Sequence, residues 1–553
     1  MGKSKKSDTS FLLQGSILAI ASFISRIVGL LYRMPLKAII GKVGNDYYGT
    51  AFSIYNIILI ISSYSIPLAV SKLVSARMGR GRVKDAYRVF KGALAFAVVS
   101  GGAGALLLYF GADFFTGTLL KTPLSAIALK ILAPTLFVVA ILGVFRGFFQ
   151  GLNTMMPSAF SQVAEQILNA IVSIVAAYML FSYGKNVGQM LGDPDDYAAA
   201  YGAAGGTLGT ASGALLALLF MLFIYFAYRK RFLRRVKRDR HRNVESYGEI
   251  IYTLFLTILP ILLSTTVYSI STIIDQGVFK NIAIVQGYSA KQISEWWGVY
   301  SGQFIVLTNV PISIASSLAA SSVPSLSQAF YAGDYDKVNK QISMATRFIM
   351  VIAIPSAVGM TILGKPLNLL LFQDGDYSTM MIMLLGSLSV VLFGLSTLTN
   401  GLLQGIDKMK TPVINAVISL VIHVIVLFAL MEFFDLNIYA VVIANNVYGL
   451  CVCILNDLAL KRYSGARINI GKTYIIPFLS SLVMGIIVFI SYEGIHKVLG
   501  SNTIAVLFSI LLGMIVYFVV LLLMKGLTEE ELLRFPKGNL LVRIAKKCRL
   551  LNN

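Results

Sequence analysis

Long apolar runs recur from residue 11 to residue 525, and most hold about twenty residues with few charges. A helix of about twenty residues matches the hydrocarbon core of a bilayer, about 30 Å thick. In lipid every backbone N–H and C=O must be satisfied within the protein, which leaves helices and closed barrels as spanning structures. Barrel strands alternate in character over about ten residues, and these runs do not alternate. The chain therefore reads as an all-α polytopic membrane protein. Fourteen spans are expected, at about 11–36, 48–75, 86–110, 125–149, 157–183, 199–227, 249–279, 298–325, 338–362, 379–404, 411–433, 437–460, 473–493 and 502–525. Composition agrees: 57% of residues are hydrophobic and 13% charged, where a soluble chain has about 25% charged residues. The first run is too long for a cleaved signal and leads into further spans.

The net charge of +22 would suggest nucleic acid in a soluble protein. Here it is a topology signal, and no nucleic acid partner is expected. With the N-terminus inside, 36 of the 47 lysines and arginines fall in tails, even-numbered loops and adjoining helix ends. Nine fall on the other side, and Arg26 and Arg33 lie within the first span. Positive charge collects on the cytoplasmic side of membrane proteins, so both termini are expected inside. The stretch YRKRFLRRVKRDRHR after span six holds nine of these charges.

The chain also repeats itself. RGFFQGLNTMMP near residue 146 matches NGLLQGIDKMKTP near residue 400, with Gly147, Gln150 and Gly151 recurring as Gly401, Gln404 and Gly405. VSKLVSA from Val70 matches VPSLSQA from Val323 at nearly the same shift. Spans one to six then correspond to spans seven to twelve. Six is even, so both lobes keep one orientation and are related by a pseudo-two-fold along the membrane normal, with a site expected where the repeats meet near the midplane. The resulting plan is a tail 1–10, an N-lobe 11–227, a basic linker 228–248, a C-lobe 249–461, an extra pair 472–525 and a basic tail 526–553. That tail carries a capping box, TEEE from Thr528. Beyond Pro536 it alternates apolar and basic residues at helical spacing, as a helix lying on an anionic leaflet would.

Buried polar residues mark the candidate site. A charge at the bilayer centre costs roughly 2.5–3.5 kcal/mol on insertion scales. Of the 25 acids, Glu165 and Asp275 lie well inside spans. Steps of four, seven and eight keep one helical face. Gln14, Ser22, Arg26 and Arg33 share a stripe on span one. Ser161, Glu165, Asn169 and Ser173 do so on span five, and Ser264, Tyr268, Ser271 and Asp275 on span seven. Asn415, Ser419 and His423 repeat the span-five pattern. Such stripes should face a bundle interior or a water-filled cavity. Plainer readings exist: Arg33 can snorkel to headgroups, Glu165 and Asp275 can hold helices together as salt-bridge partners, and His423 can be a satisfied interior histidine. Trp296 and Trp297 read as interfacial anchors.

Catalysis finds little support. GMTILGK from Gly359 imitates a phosphate loop, but Pro366 follows where Ser or Thr is required. Three histidines and no zinc spacing leave no metal centre. No ATPase motif or cofactor motif is present, so transport would draw on a Na+ or H+ gradient, the membrane potential or the substrate gradient.

SRIVGLLYRMP on span one, FRGFFQGLNTMMPSAFSQVAEQ across spans four and five, and the 6+6+2 plan resemble the multidrug/oligosaccharidyl-lipid/polysaccharide exporter superfamily. The resemblance covers about residues 10–525. It is strongest to the Gram-positive branch of lipid II flippases and stage V sporulation protein B relatives. It implies a transporter in the bacterial cytoplasmic membrane that moves an undecaprenyl-diphosphate-linked precursor outward by alternating access; a monomer is expected, though the sequence does not fix the oligomeric state. Spans thirteen and fourteen would form a groove for the lipid tail. Arg26 and Arg33 would then offer charge-assisted hydrogen bonds to the diphosphate, with Glu165, Asn169 and Gln303 also at the cavity. Some relatives bind sodium in the C-lobe, where Asp275 and Asn415 could contribute. The chain departs from the Gram-negative flippases, which add cavity arginines on spans two and eight; here Ser62, Ser63 and Gln303 are the polar residues nearby. Another lipid-linked oligosaccharide, of capsule, teichoic acid or spore wall, would share the same diphosphate. A cation-coupled drug exporter fits less well, because such exporters lean on acidic residues.

Overall fold

A computed structural model describes residues 21, 24–25, 27–29, 31–239, 241, 244–465, 468–529, 542–543 and 546–547. At 64, 259–269, 317, 320–321, 323–325, 328 and 331 it describes the backbone alone. Among the described residues no strand occurs. Sixteen helices follow from residue 33 on: α1 (Arg33–Leu59), α2 (Ile66–Gly79), α3 (Val83–Asp113), α4 (Ser125–Gly151), α5 (Met156–Leu191), α6 (Pro194–Arg238), α7 (Tyr247–Val285), α8 (Ala290–Val299), α9 (Ile305–Tyr331), α10 (Tyr335–Phe372), α11 (Tyr377–Gly386), α12 (Leu388–Gly405), α13 (Lys410–Glu432), α14 (Asn437–Ser464), α15 (Ile476–Leu499) and α16 (Asn502–Leu523). Eleven helical segments among the described residues are long and apolar enough to cross a membrane. Their outward faces are apolar, as lipid contact requires: Phe160, Tyr178 and Met179 on α5 and Phe489, Ile490, Leu511 and Ile515 on α15 and α16 are all exposed.

The chain forms two compact units, Met1–Gly302 and Gln303–Asn553. In the first unit, α1 is two helical pieces meeting at Gly41, whose φ of 69° suits a residue without a Cβ. The loop expected at 37–47 is therefore this kink, with helix on either side. Next to it α5 and α6 pack as a tight hairpin. Gly205, Gly209 and Gly213 recur every four residues along α6, so they share one face. A Cβ on Gly205 would lie 2.5 Å from the Ala176 carbonyl carbon, and one on Gly213 would lie 2.6 Å from the Glu165 carbonyl oxygen. Small residues let membrane helices approach this closely.

The basic stretch after span six is helical, not a loop. α6 runs unbroken to Arg238. Phe232, fully buried, packs on Phe148 at 5.2 Å between ring centres and on Tyr87 at 5.9 Å. This aromatic cluster, with Phe90 and Phe145, anchors one face of the helix while Arg231, Arg234, Arg235 and Arg238 point outward. The linker expected over 228–248 thus shrinks to the short segment before α7. α7 and α8 pack within the first unit, and the second unit begins at Gln303. α8 occupies the stretch expected to link spans seven and eight. It buries Trp297 completely between Phe279 and Tyr300, at 5.9 and 5.2 Å, so Trp297 is a core residue rather than an interfacial anchor.

In the second unit, α10 carries GMTILGK within continuous helix, which removes any phosphate loop there. α15 and α16 pair through Met484, Val488 and Leu521 and lie against Val351 and Leu363 of α10. The Tyr517 hydroxyl donates to the Val351 carbonyl at 2.8 Å and ties α16 to that helix.

Candidate functional site

Arg33 sits at the start of α1, half-buried, with its guanidinium 5.9 Å from the centre of the Tyr48 ring. The Tyr32 and Tyr48 hydroxyls are 3.1 Å apart beside it. A guanidinium over a tyrosine face gains about 0.5–2 kcal/mol, which offsets part of its burial. Among the described residues no carboxylate forms an ion pair with Arg33; its neighbours are the two tyrosines. Arg26 lies outside the described residues.

The polar side chains of the span-five stripe are engaged by neighbouring helices. Glu165 accepts from Arg146 Nη2 at 2.6 Å, and Arg146 Nε donates to Ser161 Oγ at 2.9 Å. Ser158 Oγ in turn donates to the Arg146 carbonyl. Asn169 faces α6: Ser173 Oγ donates to Asn169 Oδ1 at 2.9 Å and lies 2.8 Å from the Gly206 carbonyl. The stripe is turned inward because the α6 glycines leave room for it. Arg146 lies three residues inside the expected end of span four, where sequence alone does not separate a loop charge from a buried one.

Gln303 is fully buried and donates through Nε2 to Asp374 Oδ2 at 2.8 Å. Asp374 also accepts from the Asp376 backbone N–H. Gln303 thus clasps the turn between α10 and α11.

Asn415 joins a buried amide network in the second unit. Its Nδ2 donates to Asn456 Oδ1 at 2.9 Å, and Asn456 Nδ2 donates to Asn400 Oδ1 at 2.7 Å and Thr399 Oγ1 at 3.0 Å. Asn400 and Asn415 stand where the repeat places Arg146 and Ser161. Helix pairs at matching positions in the sequence are thus joined by polar side chains in both units, ionic in one and neutral in the other. His423 is fully buried with its ring 5.9 Å from Tyr448. Among the described residues no group of three or more His, Cys, Asp or Glu is arranged to hold a metal.

Asp275 is buried on α7. Five residues further on, Lys280 is 1% exposed and donates to both Asp46 carboxylate oxygens, at 2.6 and 2.7 Å. Nothing in the sequence announces this ion pair, because Asp46 and Lys280 both fall just beyond expected span ends and read as loop charges. A second ionic cluster holds the segment before α7. Glu245 pairs with Arg77, its N–H donates to Asp85 at 3.0 Å, and its carbonyl accepts from Arg88 at 2.7 Å. Nearby, the backbone N–H groups of Lys84 and His241 both donate to Asp239 at 2.9 Å. The Lys84 N–H contributes most to holding the Asp239 pKa down to about 2, with His241 adding to it.

A helical bundle with apolar outer faces and charges tied in pairs inside it is a multi-pass membrane protein, and its place is the cytoplasmic membrane. The chain belongs to the polysaccharide biosynthesis protein family, whose model matches residues 12–330. The MatE family model matches residues 302–429, and the two together place the chain in the multidrug/oligosaccharidyl-lipid/polysaccharide exporter superfamily. It is 26% identical over 508 residues to the lipid II flippase MurJ of Bacillus subtilis (strain 168), covering 88% of this chain and 91% of that one. Stage V sporulation protein B of the same organism is 23% identical, with 97% and 99% covered. A solved structure of lipid II flippase MurJ in an inward closed conformation shares the fold, at a TM-score of 0.63 and 18% identity, over 91% of this chain and 97% of that one.

Proposed function

We propose that this protein is a flippase that carries an undecaprenyl-diphosphate-linked peptidoglycan precursor, lipid II, from the inner to the outer leaflet by alternating access. Both termini are inside in this reading, with fourteen spans. The observation that carries it is Arg33: a cation within an apolar segment, set against Tyr48 and, among the described residues, without a carboxylate partner. A diphosphate is the complement of such a group, since guanidinium binds its oxygens through paired charge-assisted hydrogen bonds. The similarity to the Bacillus subtilis flippase over nine-tenths of that protein supports the same substrate class. Arg26, seven residues earlier on the same stripe, would make the second contact. Glu165 enters this reading as the counter-ion that keeps Arg146 out of the site, and Asn169, Gln303 and Asn415 enter it as structural residues. A Na+ or H+ gradient, with Asp275 as the group to test, or the membrane potential would supply the drive.

The test is growth of a bacterium depleted of its own lipid II flippases. Expression of this protein should restore growth, and Arg33→Ala should abolish rescue with the membrane level of protein unchanged. Each hydrogen bond to a charged group contributes about 1.5–3 kcal/mol, so affinity should fall by about ten- to hundredfold on removing one. No rescue by wild-type protein present in the membrane rejects lipid II. It would favour a second reading, another lipid-linked oligosaccharide such as a spore-wall precursor, which the end-to-end similarity to stage V sporulation protein B supports.

A further inference from the structure

The ion pair between Asp46 and Lys280 is far better built than a chance contact. All three Lys280 N–H donors are used: two on Asp46 and the third on Thr122 Oγ1 at 2.7 Å. The Thr122 hydroxyl in turn donates to the Leu120 carbonyl at 2.9 Å. Thr50 Oγ1 donates to Asp46 Oδ1 at 3.1 Å and accepts from Gln276 Nε2. Asp46, Thr50 and Gln276 are fully buried, and Thr122 is nearly so. Three distant chain segments meet here: α1 beyond its kink, the turn before α4, and the end of α7. The Lys/Arg bias puts this end of the bundle outside the cell.

A buried ion pair is weak evidence for stability, because well-packed apolar residues usually hold helices together as firmly. This chain shows the cheaper solution elsewhere, in the glycine seam of α5 and α6. Charges have one property that apolar residues lack. They are satisfied by each other when a contact is closed and by water when it is open. α7 is also fastened at its other end, where Glu245 just ahead of its first turn pairs with Arg77 and meets Asp85 and Arg88. That clip is partly solvent-exposed and lies on the chain leading into the helix, the place for a pivot.

We propose that Asp46, Lys280 and Thr122 form a breakable outer latch on α7, and that its release opens the outer mouth of the transporter while the Glu245 clip holds the pivot. The proposal rests on the alternating-access reading above, but not on the identity of the headgroup. It makes a prediction of opposite sign for two kinds of variant. Removing one charge strands the other in a dry site and penalises the closed state. Removing both leaves nothing for water to reward on opening, so the closed state is favoured.

The experiment reads the outer mouth with a cysteine. Ser125 is fully buried one turn beyond Thr122. Ser125→Cys, in a full-length chain with Cys451, Cys453 and Cys548 replaced by alanine, is labelled on intact cells with a membrane-impermeant maleimide. Lys280→Met and Asp46→Asn should each speed labelling about tenfold or more, given the cost of an unpaired buried charge. The double variant Asp46→Asn/Lys280→Met should label more slowly than the parent and lose transport although it folds. The latch is overturned if a single variant at parental membrane level labels at the parental rate. It is equally overturned by a double variant that labels no more slowly than the parent or that supports growth normally. Should a single variant be degraded, the double variant alone decides on those terms. Labelling that responds as expected in a protein that fails to rescue lipid II-flippase depletion keeps the latch and rejects the substrate.

Discussion

Arg146 and Glu165 show how a charge can be held inside a membrane helix bundle without serving a ligand. Their side chains are 14% and 20% exposed, so water screens the pair little. Truncating either partner leaves the other uncompensated, which costs about 3–5 kcal/mol in buried pairs; the residual exposure here points to the lower end. Glu165→Ala and Arg146→Met should each lower the melting temperature of the detergent-purified protein, and Arg146→Met/Glu165→Met should recover much of the loss. A double variant less stable than both singles would show that the pair does not act as a unit. Asp239 makes a prediction in pH. Its carboxyl is held at about 2, chiefly by the Lys84 N–H, against about 3.9 for an unperturbed aspartate. A depressed pKa stabilises the fold at every pH above the unfolded value and loses that contribution as pH falls toward the folded one. The stability gap between wild type and Asp239→Asn should stay constant from pH 7 to about 4. It should close between about pH 4 and pH 2, and a gap that widens on acidification would contradict the assignment.

The α5–α6 hairpin is the element where close approach matters most. A Cβ on Gly209 would lie 2.6 Å from the Asn169 carbonyl oxygen and from the Ser173 backbone nitrogen, and would overlap Ser173 Oγ. Backbone cannot rotate away as a side chain can. Gly209→Ala should destabilise by about 1–3 kcal/mol, the usual cost of overpacking. Gly248→Ala, where an added Cβ meets nothing within 4 Å, is the control. Equal melting temperatures for the two variants would show that the helices part at no cost. The same hairpin explains a limit of the sequence. Its apolar runs announced two helices, and the four-residue step of Ser161, Glu165, Asn169 and Ser173 announced one buried face. What that face meets depends on α6, whose glycines carry no polar signal of their own. Asp46, Lys280 and Arg146 escaped notice for a different reason. Each lies within a few residues of a span end, where hydropathy cannot separate a solvated charge from one folded back into the bundle. The kink at Gly41, which draws Asp46 into the bundle, depends on a single glycine among forty-seven.

At the scale of the whole molecule, the proposed flippase reading asks what would drive an anionic headgroup outward through a chain with no ATPase motif. The potential across the membrane is sufficient in magnitude. An inside-negative potential favours outward movement of one negative charge by about 2.3 kcal/mol per 100 mV. This applies only if net charge crosses with the substrate, and Arg33 bears on that condition. A guanidinium that stays on its helix and binds the diphosphate in both states neutralises it locally but does not travel across with it, so the translocated charge remains that of the lipid. In proteoliposomes holding a labelled lipid-linked diphosphate, a potassium gradient with valinomycin sets the potential. At 100 mV the steady-state ratio of outer to inner label should exceed the ratio at zero potential by about fiftyfold per net charge moved. Collapsing the gradient should return the ratio to its starting value, and Arg33→Ala should slow the approach to each steady state without changing the ratio reached. Equal ratios at 0 and about 100 mV would mean that a cation crosses with each headgroup and cancels its charge. The search for the drive would then turn to a Na+ or H+ gradient, with Asp275, the buried carboxylate of α7, as the first residue to mutate.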